Sequence, residues 1–165
     1  MEVLDLIGQT LWFMLPAYFA NMAPVVISKF KLVKRYNKPI DFGRKWRGKP
    51  LLGPGKTWFG LISGVAVGSL IGLLQGSLEL GFMLGLGAMI GDSAGSFVKR
   101  RLGLKRGAKA PGIDQLDFVL GAFLFAGLIG VFNWKYLVIA LVVTPLLHWL
   151  ASIAGYRLKL KREPW

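Results

Sequence analysis

Residues 91–117 read GDSAGSFVKRRLGLKRGAKAPGIDQLD and join the end of one apolar segment to the start of the next. Asp92 lies inside apolar sequence, six basic residues follow, and Asp114 and Asp117 open the next apolar segment. Ionised carboxylates are costly at membrane depth and usually mark functional sites there. The stretch therefore predicts a polar site where two membrane helices end.

The rest of the chain has the composition of a membrane protein. Of its 165 residues, 54% are hydrophobic, and the mean hydropathy is +0.53. A bilayer is spanned by roughly 20 apolar residues. We predict an all-α integral membrane protein that forms a single membrane domain, residues 1–165. Its five transmembrane helices are expected at residues 4–27, 58–74, 80–98, 114–132 and 134–154. The first segment has no basic residue before it, unlike a signal peptide, so we predict a retained span.

The formal net charge of +13 is concentrated in particular loops. Ten Lys and Arg lie in residues 28–57, none after the second span, six in residues 99–113, one after the fourth span and four in the tail. The positive-inside rule then puts loops 28–57 and 99–113 and the C-terminus in the cytoplasm, with the N-terminus outside. We expect a multi-pass protein of the cell membrane with its active site on the cytoplasmic side. Such loops suit anionic lipid and phosphorylated substrates, and no nucleic-acid partner is expected.

The first span contains Pro16 and Pro24 with Asn21 between them. Intramembrane prolines free backbone carbonyls, and such backbone is buried in protein or lines a cavity. Asn21 is therefore a candidate pocket residue. A kinked helix in which Asn21 bonds a neighbouring helix explains the pattern equally well, and both alternatives stay open.

Glycines recur every four residues in the second and third spans. Such spacing makes a flat stripe that allows helix backbones to approach closely. We predict that the second and third helices pack together through these stripes, and a homodimer through one stripe remains open. The glycines are Gly60, Gly64, Gly68 and Gly72 in one span, and Gly87, Gly91 and Gly95 in the other.

The first basic loop is longer than most connections, which indicates a functional loop. It ends in Gly53, Pro54 and Gly55, followed by Lys56 and Thr57. The glycine spacing of a Walker sequence is missing and no strand precedes it, so a P-loop is excluded. The turn still offers backbone amides, a lysine and a hydroxyl at a helix N-terminus, where anions are favoured.

Five polar residues of the central stretch are predicted to meet. Asp92, Ser96 and Lys99 share one helix face, and Asp114 and Asp117 share a face of the next helix. Three carboxylates in one pocket repel each other unless cations lie among them, and oxygen ligands suit Mg²⁺. The alternative is that Asp114 and Asp117 merely stabilise a helix start while Asp92 pairs with a neighbouring arginine.

Basic side chains surround these acids in the sequence, among them Lys56, Lys99, Arg100 and Lys105. Phosphoryl and nucleotidyl transfer need positioning and charge neutralisation, which two metal ions supply. A lipid phosphate is already ionised and needs no general base, which agrees with a chain that has no cysteine. The single histidine, His148, is predicted to be a packing residue.

The order Ser96, Lys99, Arg100, then Pro-Gly and Asp-x-x-Asp, resembles the signature of the CDP-diacylglycerol synthases. The match is incomplete, because Arg106 stands where that family has an aspartate and its His-Gly-Gly is absent. Two further segments resemble the CDP-archaeol synthases, the archaeal branch of the same superfamily, and this resemblance covers nearly the whole chain. They are PAYFANMAPV, residues 16–25, and PIDFGRKWRGKPLLGPGKTWFG, residues 39–60.

The resemblance implies a transferase of phospholipid biosynthesis, a CTP-dependent cytidylyltransferase. Digeranylgeranylglycerol phosphate, an archaeal ether-lipid phosphate, would attack CTP with the help of two Mg²⁺ ions and release pyrophosphate. The catalytic residues that the resemblance implies are Asp92, Asp114, Asp117 and Lys99. The three aspartates would be the metal ligands. As binding residues we predict Asn21, Lys45, Gly53, Gly55, Lys56, Thr57, Ser96 and Arg100.

Two other classes are weighed against this one. A CDP-alcohol phosphatidyltransferase also uses clustered aspartates, but its Asp-Gly-x-x-Ala-Arg stretch does not occur in the chain. A scaffold or transporter that grips anionic lipid with basic loops needs no acidic site. Alanine at Asp92 or Asp117 would leave such a protein functional and would inactivate the enzyme.

Overall fold

The computed structural model describes residues 2–105, 108 and 110–160. Arg106, Lys109 and the tail residues Lys161 and Arg162, whose charges entered the topology prediction, lie outside this part. Over the described residues the chain forms six helices and one antiparallel hairpin. They are α1 (Glu2–Ile27), α2 (Lys31–Tyr36), β1 (Lys45–Trp46), β2 (Lys49–Pro50), α3 (Trp58–Leu74), α4 (Leu78–Arg101), α5 (Ile113–Leu128) and α6 (Trp134–Arg157).

Three of these helices, α1, α4 and α6, are long and apolar enough to cross a membrane, and α3 is a shorter apolar helix. With 17 residues, α3 is about 26 Å long, slightly less than a hydrocarbon core of about 30 Å. The fourth predicted span, residues 114–132, is too long, because α5 ends at Leu128 and the chain turns at Gly130 with φ +75°. The third span, predicted as 80–98, extends in α4 beyond both limits.

Side-chain caps decide where three of the helices begin. The Thr57 hydroxyl accepts a hydrogen bond from Gly60 N (3.3 Å) at the start of α3. Ser77 caps α4 in the same way, and Asn133 caps α6 by accepting from Lys135 N at 3.0 Å. Since such caps satisfy N–H groups that have no partner inside the helix, they fix the register of each helix against its loop.

Glycines bring α4 into close contact with two different helices. On one side Gly72 of α3 lies against α4, where a Cβ atom at Gly72 would be 2.7 Å from Gly81 N. On the other side, a Cβ at Gly87 would be 2.9 Å from the Ala122 Cα of α5. The prediction that Gly87, Gly91 and Gly95 pack on the second span is therefore wrong. That stripe packs on α5, and α4 meets α3 through Gly81 and Gly85 instead.

A homodimer through either glycine stripe has no free surface to use. Gly60, Gly64, Gly68 and Gly72 are buried in the chain itself, and so are Gly87, Gly91 and Gly95. The sequence left a homodimer through one stripe open. In the structure, the glycines of both stripes instead make contacts inside one protomer.

The apolar core lies where α1, α4, α5 and α6 meet. Its large, fully buried side chains include Met14, Leu84, Val119 and Phe123. Packing α4 between α3 and α5 carries the polar end of α4, from Asp92 onwards, to the start of α5 and to the loop that precedes α3. The fold therefore brings the two basic loops to one end of α4.

Candidate functional site

Asp41 organises the first basic loop. Its buried carboxylate accepts hydrogen bonds from Gly43 N (2.9 Å), Leu52 N (2.8 Å) and Gly53 N (3.0 Å). Burial raises the pKa of Asp41, but these backbone donors outweigh it and hold the pKa below its ordinary 3.8. The ionised Asp41 carboxylate therefore stabilises the folded protein. This contribution is complete above the ordinary pKa and is lost as the pH falls through the lowered pKa. Asp41 was not assigned a role from the sequence, although it is the only acid beside ten basic residues in residues 28–57.

The backbone around Lys56 is held by bonds from both sides. Lys56 N donates to Gly53 O at 3.3 Å, and Lys56 O accepts from Ile40 N at 2.9 Å. Gly53 has φ +89°, a conformation that L side chains rarely adopt, so the turn requires glycine at this position. Its amide is engaged by Asp41, so the turn anchors the loop and aims the Lys56 side chain at α4.

Two ion pairs connect the basic residues with the acids. Lys56 Nζ pairs with Asp92 Oδ2, and Lys99 Nζ pairs with Asp114 Oδ1. The four side chains are only 14 to 25% exposed, so these are not fully solvated surface pairs. Asp114 Oδ2 also accepts from Ala110 N at 2.8 Å, which ties the carboxylate to the start of α5. The alternative expectation that Asp92 pairs with a neighbouring arginine is wrong, because its partner is Lys56.

Asp117 is the least satisfied of the three acids. Its Oδ1 accepts from Phe118 N at 2.7 Å, whereas Oδ2 is buried without a hydrogen-bond partner in the described part of the chain. The carboxylate fits against Gly95 so closely that a Cβ there would be 2.7 Å from its Cγ and would overlap Oδ2. Asp92, Lys99 and Lys56 lie near enough to Asp117 for their charges to reach it. The Asp92 carboxylate repels that of Asp117, and the two lysines attract it. Gly95 thus makes room for the buried Asp117 carboxylate.

The remaining predicted residues lie in α1, the first basic loop and α4. Ser96 is buried in α4, and Arg100 lies beside the turn, with its Cδ 3.9 Å from where a Cβ at Gly53 would be. The Thr57 hydroxyl accepts the capping bond of α3. Lys45 is exposed in β1, opposite Pro50. Asn21 and Gly55 both line a cavity that reaches Lys56 and Asp92.

Arg101 anchors the hairpin to the end of α4, a role that was not predicted from the sequence. Its guanidinium donates to the backbone carbonyls of Trp46 (2.7 Å), Lys49 (3.1 Å) and Pro50. The same group lies 5.4 Å from the centre of the Trp46 ring and 5.1 Å from that of Phe97. The folded chain brings these carbonyls and rings to Arg101, and no sequence signal distinguishes Arg101 from the basic residues beside it.

The carboxylates of the site are donors of the kind that Mg²⁺ prefers. Within residues 2–105, 108 and 110–160, no three His, Asp or Glu side chains form a ready metal-binding group. Asp92 and Asp114 are each paired with a lysine, and Asp117 Oδ2 has no hydrogen-bond partner in the part of the chain that the structure describes. A hard cation prefers such carboxylate oxygens, and it would compete with Lys56 and Lys99 for two of them. The site therefore combines acids that suit a cation with lysines that suit phosphate.

Asp41→Asn is expected to loosen the first loop by about 1 to 3 kcal/mol. Both carboxylate oxygens accept backbone hydrogen bonds, and asparagine replaces one oxygen by an NH₂ group that cannot accept. Trypsin should therefore cleave faster at the basic residues of this loop. The matched control is Glu79→Gln, an exposed acid at the other end of α4. Equal cleavage rates for Asp41→Asn and the unmodified protein would show that Asp41 does not hold the loop.

Comparisons with known proteins agree on one family. The CarS-like family model, described as CDP-archaeol synthase, matches residues 3–81 and 77–165. The CDP-archaeol synthase of Pyrococcus abyssi is 44% identical, over 96% of this chain and 98% of its own. That of Methanopyrus kandleri is 46% identical, over 96% and 94%. A solved structure of an intramembrane enzyme for archaeal membrane lipids biosynthesis superposes with a TM-score of 0.75 at 41% identity. It covers 89% of this chain and 94% of that one.

Proposed function

Because the chain belongs to the CDP-archaeol synthase family, we propose that it transfers CMP from CTP to digeranylgeranylglycerol phosphate in a Mg²⁺-dependent reaction. The products are CDP-archaeol and pyrophosphate. One observation carries the proposal: the half-buried lysines Lys56 and Lys99 are paired with acids near Asp117, whose Oδ2 has no hydrogen-bond partner among the described residues. Such an arrangement suits a substrate that brings phosphates and metal ions together.

The reaction requires one bond to form and one to break. A phosphate oxygen of the lipid attacks the α-phosphorus of CTP, and the bond from that phosphorus to the bridging oxygen of the β-phosphate breaks. The electron pair leaves with pyrophosphate. Since the attacking oxygen is already ionised at neutral pH, no residue has to remove a proton from it. Catalysis then consists of alignment and charge stabilisation.

Lys56 and Lys99 supply positive charge to the phosphates. In our proposal they exchange their carboxylate partners for phosphate oxygens when the substrates bind. Arg100, which lies beside the Gly53 turn, binds the phosphates that leave as pyrophosphate. The residues that would hold Mg²⁺ are Asp92, Asp114 and Asp117, and the bound metal would neutralise charge on the triphosphate. The lysines thus neutralise the acids in the free protein and the phosphates in the complex.

The protein is a membrane enzyme with several apolar helices. We propose that α1, α3, α4, α5 and α6 all cross the cell membrane and that the site faces the cytoplasm. The asymmetry of Lys and Arg between the loops supports this orientation. In this orientation the site meets soluble CTP at the membrane surface and a lipid from the bilayer.

A nucleotide comparison tests the proposal. Purified protein with Mg²⁺ and the lipid phosphate should form a CDP-lipid and pyrophosphate from CTP, and much less product from ATP, GTP or UTP. Product from a different nucleotide alone would overturn the assignment of CTP and leave the chemistry standing. Failure with all four nucleotides in the presence of lipid phosphate would refute the reaction for this protein.

A further inference from the structure

A side cavity separates α1 from α6. The two helices run in the same direction and contact each other at Tyr18 and Thr144, whose hydroxyl oxygens are 2.8 Å apart. They are joined again at their C-terminal ends, where Lys29 Nζ donates to Lys159 O at 2.9 Å. Between these two contacts lies a cavity of about 510 Å³, a volume in the range of small-molecule sites.

The walls of this cavity are mostly apolar. Met22 and Val26 of α1 face Ala151 and Ala154 of α6 across it. Met22 and Val26 are 50% and 45% exposed, and both alanines are exposed as well. The cavity therefore opens sideways, on the face of the bundle that hydrocarbon chains would cover in a membrane.

The inner end of the cavity is polar and reaches the ion pair. Gly55, Lys56 and Asp92 line it there, and a second, smaller cavity of about 30 Å³ shares the same three residues together with Pro24. An apolar passage from the side of the protein thus ends on Lys56 and Asp92. Asn21, from the helix segment between the two prolines, lines the wall of the same passage.

We propose that this cavity binds the acceptor lipid phosphate, with its phosphate at Lys56 and the first part of its chains between α1 and α6. The assignment rests on the proposed function. A triphosphate needs several cations, whereas Lys56 is the only Lys or Arg among the described residues, up to Leu160, that line the cavity. Lys99 and Arg100 do not line it, which leaves them for the nucleotide. One phosphate on an apolar tail matches an apolar passage that ends on one lysine.

Thiol labelling tests occupancy without requiring catalysis. The chain has no cysteine, so Ala154→Cys introduces a single thiol in the cavity. In detergent, digeranylgeranylglycerol phosphate should slow its reaction with N-ethylmaleimide about tenfold, and CTP should leave the rate unchanged. The control is Val142→Cys, on α6 outside the cavity and 73% exposed, whose labelling neither compound should change. No protection at Ala154→Cys, or equal protection by CTP, would overturn the assignment.

Kinetics provide a second, independent test. Ala154→Trp fills the passage without altering Lys56, so the KM for the lipid phosphate should rise about tenfold while the KM for CTP stays constant. Val142→Trp should change neither value. A raised KM for CTP instead would make the cavity a nucleotide site. If the unmodified protein makes no CDP-lipid but the lipid still protects Ala154→Cys, the cavity assignment stands and the proposed reaction fails.

Discussion

Asp117→Asn is expected to lower kcat/KM for CMP transfer by about a thousandfold. Asparagine keeps the shape that fits against Gly95, so the contact between α4 and α5 should survive. What it removes is the charge of the carboxylate whose buried Oδ2 has no hydrogen-bond partner in the described residues. In our account that oxygen is reserved for a cation, which an amide binds far less well.

Metal binding separates this role from a structural one. Electron paramagnetic resonance of Mn²⁺, added with CTP, should report a tightly bound ion in the unmodified protein and much weaker binding in Asp117→Asn. Thermal unfolding of the two proteins should be similar. Glu79→Gln, which removes an exposed acid, should bind Mn²⁺ and turn over like the unmodified protein. Full activity of Asp117→Asn would contradict the role that we give to this carboxylate.

Gly91→Ala is expected to destabilise the protein by about 3 kcal/mol. A Cβ at this position would overlap Asp117 O and lie 3.1 Å from the Gly121 Cα. Both neighbours are backbone atoms of α5, which cannot turn aside as the end of a side chain can. The two helices must therefore separate, and since Asp117 lies at this contact, activity should fall as well.

Chemical denaturation in detergent measures this effect, and the chain offers a matched control. Gly8 is also in a helix, but nothing lies within 4 Å of where its Cβ would be. Gly8→Ala should leave stability unchanged or raise it slightly, because alanine favours helix by about 1 kcal/mol over glycine. Equal stabilities for Gly91→Ala and Gly8→Ala would show that α4 and α5 do not pack as closely as described.

The position of the acids was predictable because the change from apolar to basic sequence marks helix ends. Asp92 and Lys99 lie on the last turns of α4, and Asp114 and Asp117 lie in the first turns of α5. The pairing of Asp92 was not predictable. Lys56 is 36 residues before Asp92, and its pairing depends on how the first loop folds back.

The glycine spacing illustrates the same limit. A four-residue repeat indicates a close helix contact but does not name the partner helix. Because α4 carries Gly81 and Gly85 on one side and Gly87 and Gly91 on another, it packs against α3 and α5 at once. The two predicted stripes were expected to pack on each other, because the role of Gly81 and Gly85 was not predicted.

The first loop was predicted to be functional from its length and charge, but the sequence did not predict its structure. Asp41 fixes it through three backbone N–H groups, and Arg101 holds the hairpin through three carbonyls. All these bonds involve main-chain atoms, whose positions depend on the folded backbone and not on residue type. Sequence patterns carry little information on such contacts.

The fate of the individual phosphates of CTP tests the central claim most directly. The purified protein is incubated with Mg²⁺, the lipid phosphate and CTP that carries label either at its α-phosphate or at its γ-phosphate. Transfer of CMP predicts α-label in the lipid product and γ-label in pyrophosphate, in equal molar amounts. Label from the γ-phosphate in the lipid, or no label in the lipid from either substrate, would contradict it.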